Sequence, residues 1–201
     1  MSNGHLFVVS APSGCGKGTI LSEILKNDRF YYSVSSTTRN PREGEVDGVN
    51  YNFRTREQFE ELIASDKMLE YAQFCENYYG TEKEMVEKKL SEGKNVLLEI
   101  EVQGAMQVKE RRPDAIMIFI MPPSISELER RLRKRGTETD EVIAKRVAEA
   151  AGEIAYAYKY DYVVVNGELE KAIEDFKAVI SAEEHKATYA KEFIDEVLKN
   201  A

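Results

Sequence analysis

A lysine and three glycines near the N-terminus have the types and spacing needed to hold a chain of phosphates. Residues 10–19, called here the phosphate loop, read SAPSGCGKGT, close to the pattern G-x-x-x-x-G-K-[ST]. Glycines lack a Cβ, so successive backbone N–H groups can turn into one hollow around phosphate oxygens. Lys17 adds a positive charge that can reach the β- and γ-phosphates of a nucleoside triphosphate. The motif therefore predicts that this loop binds ATP.

Two positions of the phosphate loop depart from the pattern. Ala11 stands in place of the first glycine, which requires that this residue keep a negative φ. Gly18 replaces the hydroxyl residue that usually binds Mg²⁺, and Thr19 follows one place later with its side chain in another direction. For the Mg²⁺ that accompanies ATP, we predict that Thr19 contributes through water rather than directly. The predicted ATP-binding residues of the loop are Ala11, Pro12, Ser13, Gly14, Cys15, Gly16, Lys17, Gly18 and Thr19.

Two carboxylates form a second group able to do chemistry. VLLEIEV at residues 96–102 predicts a buried strand, and Glu99 and Glu101 lie on one face near its carboxyl end because they are two residues apart. Ligands of open α/β sheets bind at these strand ends. A carboxylate there can hold Mg²⁺ through water while Lys17 holds the phosphates. We predict that Glu101 serves the metal and that Glu99 serves the phosphoryl acceptor.

The elements that must position these groups can be read from apolar spacing. Buried strands are predicted at residues 6–10, 96–102, 115–121 and 162–166, and a strand at 70–74. Helical spacing occurs at 16–26, 56–64, 81–91, 125–134 and 139–158 and from residue 168 onward. Apolar strands that alternate with helices predict a parallel sheet covered on both sides. A sheet-rich segment near 33–80 and a basic, helical segment near 125–150 interrupt this rhythm and are interpreted as insertions.

Composition narrows the class of partner. The 201 residues are 42% hydrophobic and 32% charged, which is typical of a folded domain. A net charge of −8 argues against a general nucleic-acid binder, while arginines clustered at 39–42 and 130–135 suit small anionic ligands. No apolar run approaches the roughly 20 residues that span a bilayer. Cys15 and Cys75 are too few for a disulfide framework. We predict a cytoplasmic protein without a membrane or nucleic-acid partner.

Five stretches of the chain together resemble the guanylate kinase family in order and spacing. They are SVSSTTRNPREGEVDGVNYNF, EYAQFCENYYGT, LEIEVQG, RGTETD and VVVN, and they extend over nearly the whole chain. The resemblance implies an α/β P-loop nucleoside monophosphate kinase fold: a parallel sheet flanked by helices, a β-rich GMP-binding insertion and a helical lid. It also implies transfer of the γ-phosphoryl group of ATP to GMP, giving ADP and GDP. The implied units are a core (1–32, 83–124 and 151–201), a GMP-binding lobe (33–82) and a lid (125–150).

The resemblance also implies the residues of the GMP site. They are Ser35, Arg39, Arg42, Tyr51, Glu70, Tyr79, Thr81 and Glu99. Arg39 and Arg42 can present two planar sets of donors to one phosphate dianion. Glu70 can accept hydrogen bonds from N1–H and N2–H₂ of guanine, and Ser35 and Thr81 can donate to O6. Adenine reverses part of that pattern, so the set predicts selectivity for guanine.

On the donor side, the resemblance implies a lid that closes over ATP. Arg135 and Arg146 best match the lid arginines that touch the transferring phosphates, and Arg131 is a further candidate. Asn166 matches the position that meets the adenine ring of ATP. For Arg131 an alternative is a surface ion pair with Glu127. The predicted catalytic residues, which share the charge of the transferring group, are Lys17, Arg39, Arg135 and Arg146. Because a phosphate nucleophile is already ionised near neutral pH, no protein base is predicted.

Two other functions share part of this pattern. A kinase for AMP, CMP, UMP or shikimate would use the same phosphate loop, but the set Ser35, Glu70 and Thr81 disfavours those acceptors. A catalytically silent scaffold domain of guanylate-kinase type would lose its phosphate-loop chemistry, whereas Lys17 and the glycines are present here. The sequence leaves open the use of dGMP and the oligomeric state.

Overall fold

The computed structural model describes residues 4–136 and 138–199. Its strands, in chain order, are β1 (Leu6–Ser10), β2 (Phe30–Tyr32), β3 (Ser36–Thr37), β4 (Asn52–Phe53), β5 (Met68–Phe74), β6 (Asn77–Glu82), β7 (Asn95–Glu99), β8 (Ile116–Met121) and β9 (Tyr162–Val165). Its helices are α1 (Lys17–Ile24), α2 (Arg56–Ala64), α3 (Lys83–Ser91), α4 (Val102–Arg111), α5 (Ile125–Arg135), α6 (Asp140–Ile154), α7 (Leu169–Glu184) and α8 (Lys191–Lys199). A 3₁₀ helix, Ala155–Lys159, follows α6.

The main sheet is parallel, with strand order β2-β7-β1-β8-β9. Side chains on β1 alternate between two buried clusters, Phe7 and Val9 in one and Leu6 and Val8 in the other. Each cluster is closed by helices, so β1, β7 and β8 are buried on both faces, as the sequence predicted. The prediction of a buried strand at 162–166 was wrong for one face, because β9 lies at the edge of the sheet and exposes Val163 and Val165. Because β1 pairs with β7 in the register Val9↔Glu99, the phosphate loop and Glu99 leave the sheet side by side.

A smaller sheet, with order β4-β3-β6-β5, holds three of the eight residues predicted for GMP, namely Glu70, Tyr79 and Thr81. Strands β5 and β6 form an antiparallel hairpin, and β3 pairs with β6 on its other side. Helix α2, which begins with a capping box at Thr55 and Gln58, buries Phe59 beside Tyr78 of β6. Helix α4 packs against β5. Gly104 permits this packing, because a Cβ at that position would lie only 2.5 Å from Oε2 of Glu70. The small sheet is thereby joined to the carboxyl edge of the main sheet.

The structure differs from the elements predicted from the sequence in three places. The main sheet has a fifth strand, β2, which was too short to give a pattern of its own. Strand β7 ends at Glu99 instead of residue 102. Glu101 is the N-cap of α4, a helix that was not predicted because the apolar run VLLEIEV was assigned to a strand. Ile100 and Val102 suit a strand, but the chain turns there so that both side chains reach the core. The final helical region is divided into α7 and α8.

Two further predictions concern organisation. Helices α5 and α6 occupy the basic insertion, although α6 continues to Ile154, past the predicted lid boundary. The division into a core, a GMP-binding lobe and a lid stays a prediction. Among the described residues, no helix is long and apolar enough to cross a membrane.

Candidate nucleotide-binding site

The backbone of the phosphate loop has the geometry that its glycines predict. Gly14 and Gly16 have φ values of 96° and 78°, a region that residues with a Cβ rarely enter. Gly16 is also the N-cap of α1, and no side chain caps that helix, so its first N–H groups face outward for an anion. In the described chain, Asp66 and Cys75 are the non-glycine residues with positive φ, so Ala11 meets the requirement set by the sequence.

Asn166 holds this loop in place. Its Nδ2 donates a hydrogen bond of 2.7 Å to the carbonyl oxygen of Cys15, and a Cβ on Gly16 would lie 2.6 Å from the same nitrogen. The side chain of Asn166 is thus committed to the loop backbone, and its contact with adenine stays a prediction. Burial raises the pKa of the Cys15 thiol to about 12, which keeps it protonated and unreactive. Cys15 therefore acts as a small buried side chain.

The carboxylate of Glu99 connects the phosphate loop to the neighbouring strand. Its Oε1 lies 3.5 Å from Nζ of Lys17. Its Oε2 accepts a hydrogen bond of 3.1 Å from the hydroxyl of Tyr32, a residue that the sequence did not suggest. Glu99 thus faces the donor side, next to Lys17.

A cleft of about 360 Å³ lies between the two sheets, bounded by the phosphate loop and the N-terminus of α4. The predicted residues that line it are Lys17, Ser35, Tyr51, Glu70, Tyr79, Glu99 and Glu101. They come from segments that are distant from one another in the sequence. The fold therefore brings the phosphate-binding lysine and most of the predicted acceptor site into one space.

Glu70 is a buried carboxylate of the cleft. Its side chain is 5% exposed, and Oε1 accepts a hydrogen bond of 2.7 Å from Oγ1 of Thr81. Burial raises the pKa of Glu70 to about 7; the charge of Glu101 adds to this effect and the Thr81 hydrogen bond opposes it. The single proton of Thr81 goes to Glu70 here, so Thr81 orients this carboxylate and cannot donate to guanine O6 at the same time.

Arg39 is held by an acidic partner that the sequence analysis missed. Its Nη1 and Nη2 each donate to one oxygen of Glu45 at 2.9 Å, and Nη1 also donates to the carbonyl of Asn40. The guanidinium lies 5.4 Å from the ring centroid of Tyr51, whose ring in turn meets that of Tyr79 edge-on at 6.0 Å. The guanidinium of Arg39, two tyrosine rings and a carboxylate thus form one cluster, in the segment that is predicted to bind the phosphate of GMP.

Arg42 is placed less directly. Its side chain is exposed, and its backbone N–H donates to Oε2 of Glu45 at 2.7 Å. The hydrogen bonds from Arg39 and from this N–H hold the pKa of Glu45 below its usual value. The contact of the Arg42 side chain with phosphate stays a prediction.

The lid arginines reach the phosphate loop to different extents. Nη1 of Arg146 lies 3.4 Å from Oγ of Ser13, and Nη2 pairs with Glu138 at 2.8 Å. Arg131 is bound by Glu127 at 2.8 Å, the ion pair foreseen as its alternative role, and also by the carbonyl of Gly167. Arg135 ends α5, is exposed, and makes no ion pair with the described residues. Arg146 is thus the lid arginine that already touches the ATP-binding loop.

The described part of the site offers single carboxylates to a metal rather than a preformed cluster of ligands. Within residues 4–136 and 138–199 no cluster of three His, Cys, Asp or Glu side chains could hold a cation. Mg²⁺ binds phosphate oxygens with one or two carboxylates and several waters, and Glu99 beside Lys17 offers such a carboxylate. A Cβ on Gly18 would meet nothing within 4 Å. The fold therefore leaves room for a side chain at the position where the motif usually has a hydroxyl residue. Thr19 is exposed at the start of α1.

Several residues of the site escaped the sequence analysis, and three of them bear on its chemistry. Tyr32 lines the cleft from β2, Glu45 pairs with Arg39, and Gly104 admits the carboxylate of Glu70 against α4. A strand after α1 could have been expected from the alternation of strands and helices, which would have drawn attention to Tyr32. Glu45 lies three positions after Arg42, but Glu43 is closer in sequence, so spacing alone did not single out the partner of Arg39. Nothing in the sequence pointed to Gly104, because its role depends on how α4 packs against β5.

Comparisons with known proteins agree with this geometry. The family model described as guanylate kinase matches residues 3–183. Curated relatives named guanylate kinase include one from Bacillus anthracis, 52% identical over 198 residues that cover 96% of this chain and 97% of the relative. Another, from Desulfitobacterium hafniense, is 51% identical over 183 residues, covering 90% of this chain and 92% of the relative.

A solved structure extends the likeness to three dimensions. The crystal structure of guanylate kinase from Anaplasma phagocytophilum matches with a TM-score of 0.74 and 34% identity, covering 94% of this chain and 90% of that one. The α/β fold predicted from the sequence is therefore confirmed, with its parallel sheet and flanking helices. Given the matched length and the identity, the chain belongs to the guanylate kinase family.

Proposed function

We propose that the protein transfers the γ-phosphoryl group of ATP to GMP, with ATP on the phosphate loop and GMP in the cleft. The observation that carries this proposal is the shared cleft, which is lined both by Lys17 and by the buried Glu70. Guanine presents two adjacent N–H donors, and a buried carboxylate can accept both. Adenine lacks that pair, so it would leave the carboxylate unpaired, and buried unpaired groups give strong discrimination.

The residues act by positioning and by stabilising charge. Lys17 and Arg146 face the phosphates of ATP, while Arg39, Tyr51 and Tyr79 surround the phosphate of GMP. Arg135 joins them when the lid closes. Phosphoryl transfer needs its two reactants in line and its equatorial oxygens neutralised, and little covalent work is left to the protein. A GMP phosphate is already largely ionised near neutral pH, so its oxygen attacks without a protein base.

Mg²⁺, when bound with ATP, would neutralise charge on the phosphates. We assign Glu99 to the water shell of this ion, because Glu99 lies beside Lys17. We assign Glu101 to the guanine side, because its charge acts on Glu70. These two roles exchange those expected from the sequence. Thr19 remains a water-mediated contact, and the cytoplasmic location remains a prediction.

An acceptor panel tests the function. Purified protein with ATP and Mg²⁺ is offered GMP, dGMP, AMP, CMP, UMP and shikimate, and ADP release is followed by a coupled assay. We expect GMP to exceed AMP by about 10⁴-fold in kcat/KM, since a site built for guanine donors rejects adenine strongly. Equal rates with AMP, or no GDP from GMP, would overturn the assignment.

The pKa of Glu70 predicts a pH dependence of GMP binding. The carboxylate must be ionised to accept from both guanine donors, and in the empty site its pKa is about 7. Binding should therefore weaken as pH falls, by about tenfold between pH 8 and pH 6, and the loss should continue below that range. The dissociation constant of GMP, measured by calorimetry without ATP across this range, reports the effect.

A matched variant separates Glu70 from the ligand itself. The phosphate of GMP also titrates near pH 6, but Glu70→Gln removes only the contribution of the protein. The variant should bind GMP more weakly at pH 8 and show a shallower pH profile. Parallel profiles in wild type and variant would contradict a role for the ionisation of Glu70.

A further inference from the structure

Tyr32 contacts the site but has no role in the reaction described above. It is the last residue of β2, at the edge of the main sheet, and it lines the cleft. Its hydroxyl donates to Oε2 of Glu99 at 3.1 Å, while Oε1 of the same carboxylate lies 3.5 Å from Nζ of Lys17. The two oxygens of Glu99 are thus divided between a phenol and the lysine of the phosphate loop.

This arrangement restrains a side chain that would otherwise be mobile. A glutamate has three rotatable bonds, and the side chain of Glu99 is 28% exposed, so solvent competes for its oxygens. A tyrosine hydroxyl ordinarily loses its proton only near about pH 10, so it remains a donor throughout the neutral range. A hydrogen bond to a charged acceptor is stronger than one between neutral groups.

We propose that Tyr32 is a positioning residue for phosphoryl transfer, which fixes Glu99 so that Oε1 faces Lys17 and the phosphates bound there. Tyr32 acts through Glu99 and need not touch either nucleotide. The inference rests on the proposed function, because it assumes that Lys17 and Glu99 serve Mg·ATP.

The test is Tyr32→Phe, which removes the hydroxyl and keeps the ring. We expect kcat/KM for Mg·ATP to fall about three- to tenfold, the size expected for one hydrogen bond to a charged group, while KM for GMP changes less than about twofold. Tyr31→Phe is the matched control: Tyr31 is its neighbour on β2, and its ring lies 5.5 Å from Nζ of Lys89. The hydroxyl of Tyr31 makes no hydrogen bond within the described chain, so the control should match wild type.

A double-mutant cycle separates positioning from a general structural effect. In a Glu99→Ala background, Tyr32→Phe should no longer change the dissociation constant of a non-hydrolysable ATP analogue with Mg²⁺, because its partner is gone. In the wild-type background the same substitution should weaken that binding about threefold or more. The melting temperature of Tyr32→Phe should stay within the range of the Tyr31→Phe control.

Two results would overturn the role of Tyr32. One is unchanged kinetics in Tyr32→Phe, and the other is an equal loss of analogue binding with and without Glu99. Either result leaves GDP formation by the wild-type protein intact. A failure of the proposed function is different, because the wild-type protein itself would then form no GDP from GMP.

Discussion

Replacing Lys17 with alanine is expected to lower kcat by about 10³-fold or more, because a preorganised donor aimed at developing charge contributes about that much. Lys17 follows the glycine hollow directly, at the first position of α1, and lines the cleft that holds the acceptor. Its ammonium group is the side-chain charge of the loop that can follow the γ-phosphate through transfer. Initial rates of ADP release with saturating ATP and GMP give the value.

The Lys17→Ala variant should remain folded. Its ion pair with Glu99 is partly exposed, with the lysine side chain 20% accessible, and such pairs contribute about 1 kcal/mol or less to stability. Lys26→Ala is a suitable control, since Lys26 follows the same helix and pairs with Glu23 at the surface. We expect the control to keep full activity. Near-normal turnover in Lys17→Ala would mean that the phosphate loop has been misassigned.

Arg39→Ala should reduce kcat/KM for GMP by about 10³-fold, comparable to the loss of other arginines that stabilise a transferring phosphoryl group. Two effects add. The phosphate loses a fork of donors beside Tyr51, and Glu45 loses the partner that neutralises it. An unpaired carboxylate next to a phosphate dianion repels it, so the variant is worse than a simple deletion of one contact.

A second substitution tests this account of Arg39. If Glu45 becomes repulsive when Arg39 is removed, then Arg39→Ala with Glu45→Ala should regain about tenfold of the lost kcat/KM. Arg56→Ala is the matched control from the same lobe, since Arg56 pairs with Glu60 on the surface and should leave the kinetics unchanged. A double variant no better than Arg39→Ala would show that Glu45 exerts no such repulsion.

The local parts of the site could be predicted because they depend on residues that are contiguous in the sequence. The phosphate loop depends on glycines, a lysine and the strand and helix around them, all within residues 6–24. The four apolar strands were predicted correctly as elements of a parallel sheet. Burial on both faces explains the apolar runs of β1, β7 and β8, whereas β9 lies at the edge of the sheet and is exposed on one face. The predicted acceptor residues were found through resemblance, and the fold brings Ser35, Tyr51, Glu70 and Tyr79 into one cleft.

The remaining features depend on contacts between distant segments. The strand β7 and the helix α4 meet inside a run that reads as one strand, because the turn at Ile100 is set by the core and not by local propensity. That turn separates Glu99 and Glu101, so one faces Lys17 and the other acts on Glu70. Sequence spacing alone placed both on one face.

The sequence by itself determined the chemistry of this protein: a phosphate-binding loop, an arginine-rich acceptor segment and a parallel α/β core. Tertiary structure decided which partner each charged group has. Tyr32 meets Glu99 across 67 positions of sequence, and Glu70 acquires its raised pKa from burial under α4. Such partners follow from how strands and helices pack together, and neither residue type nor periodicity encodes that packing locally.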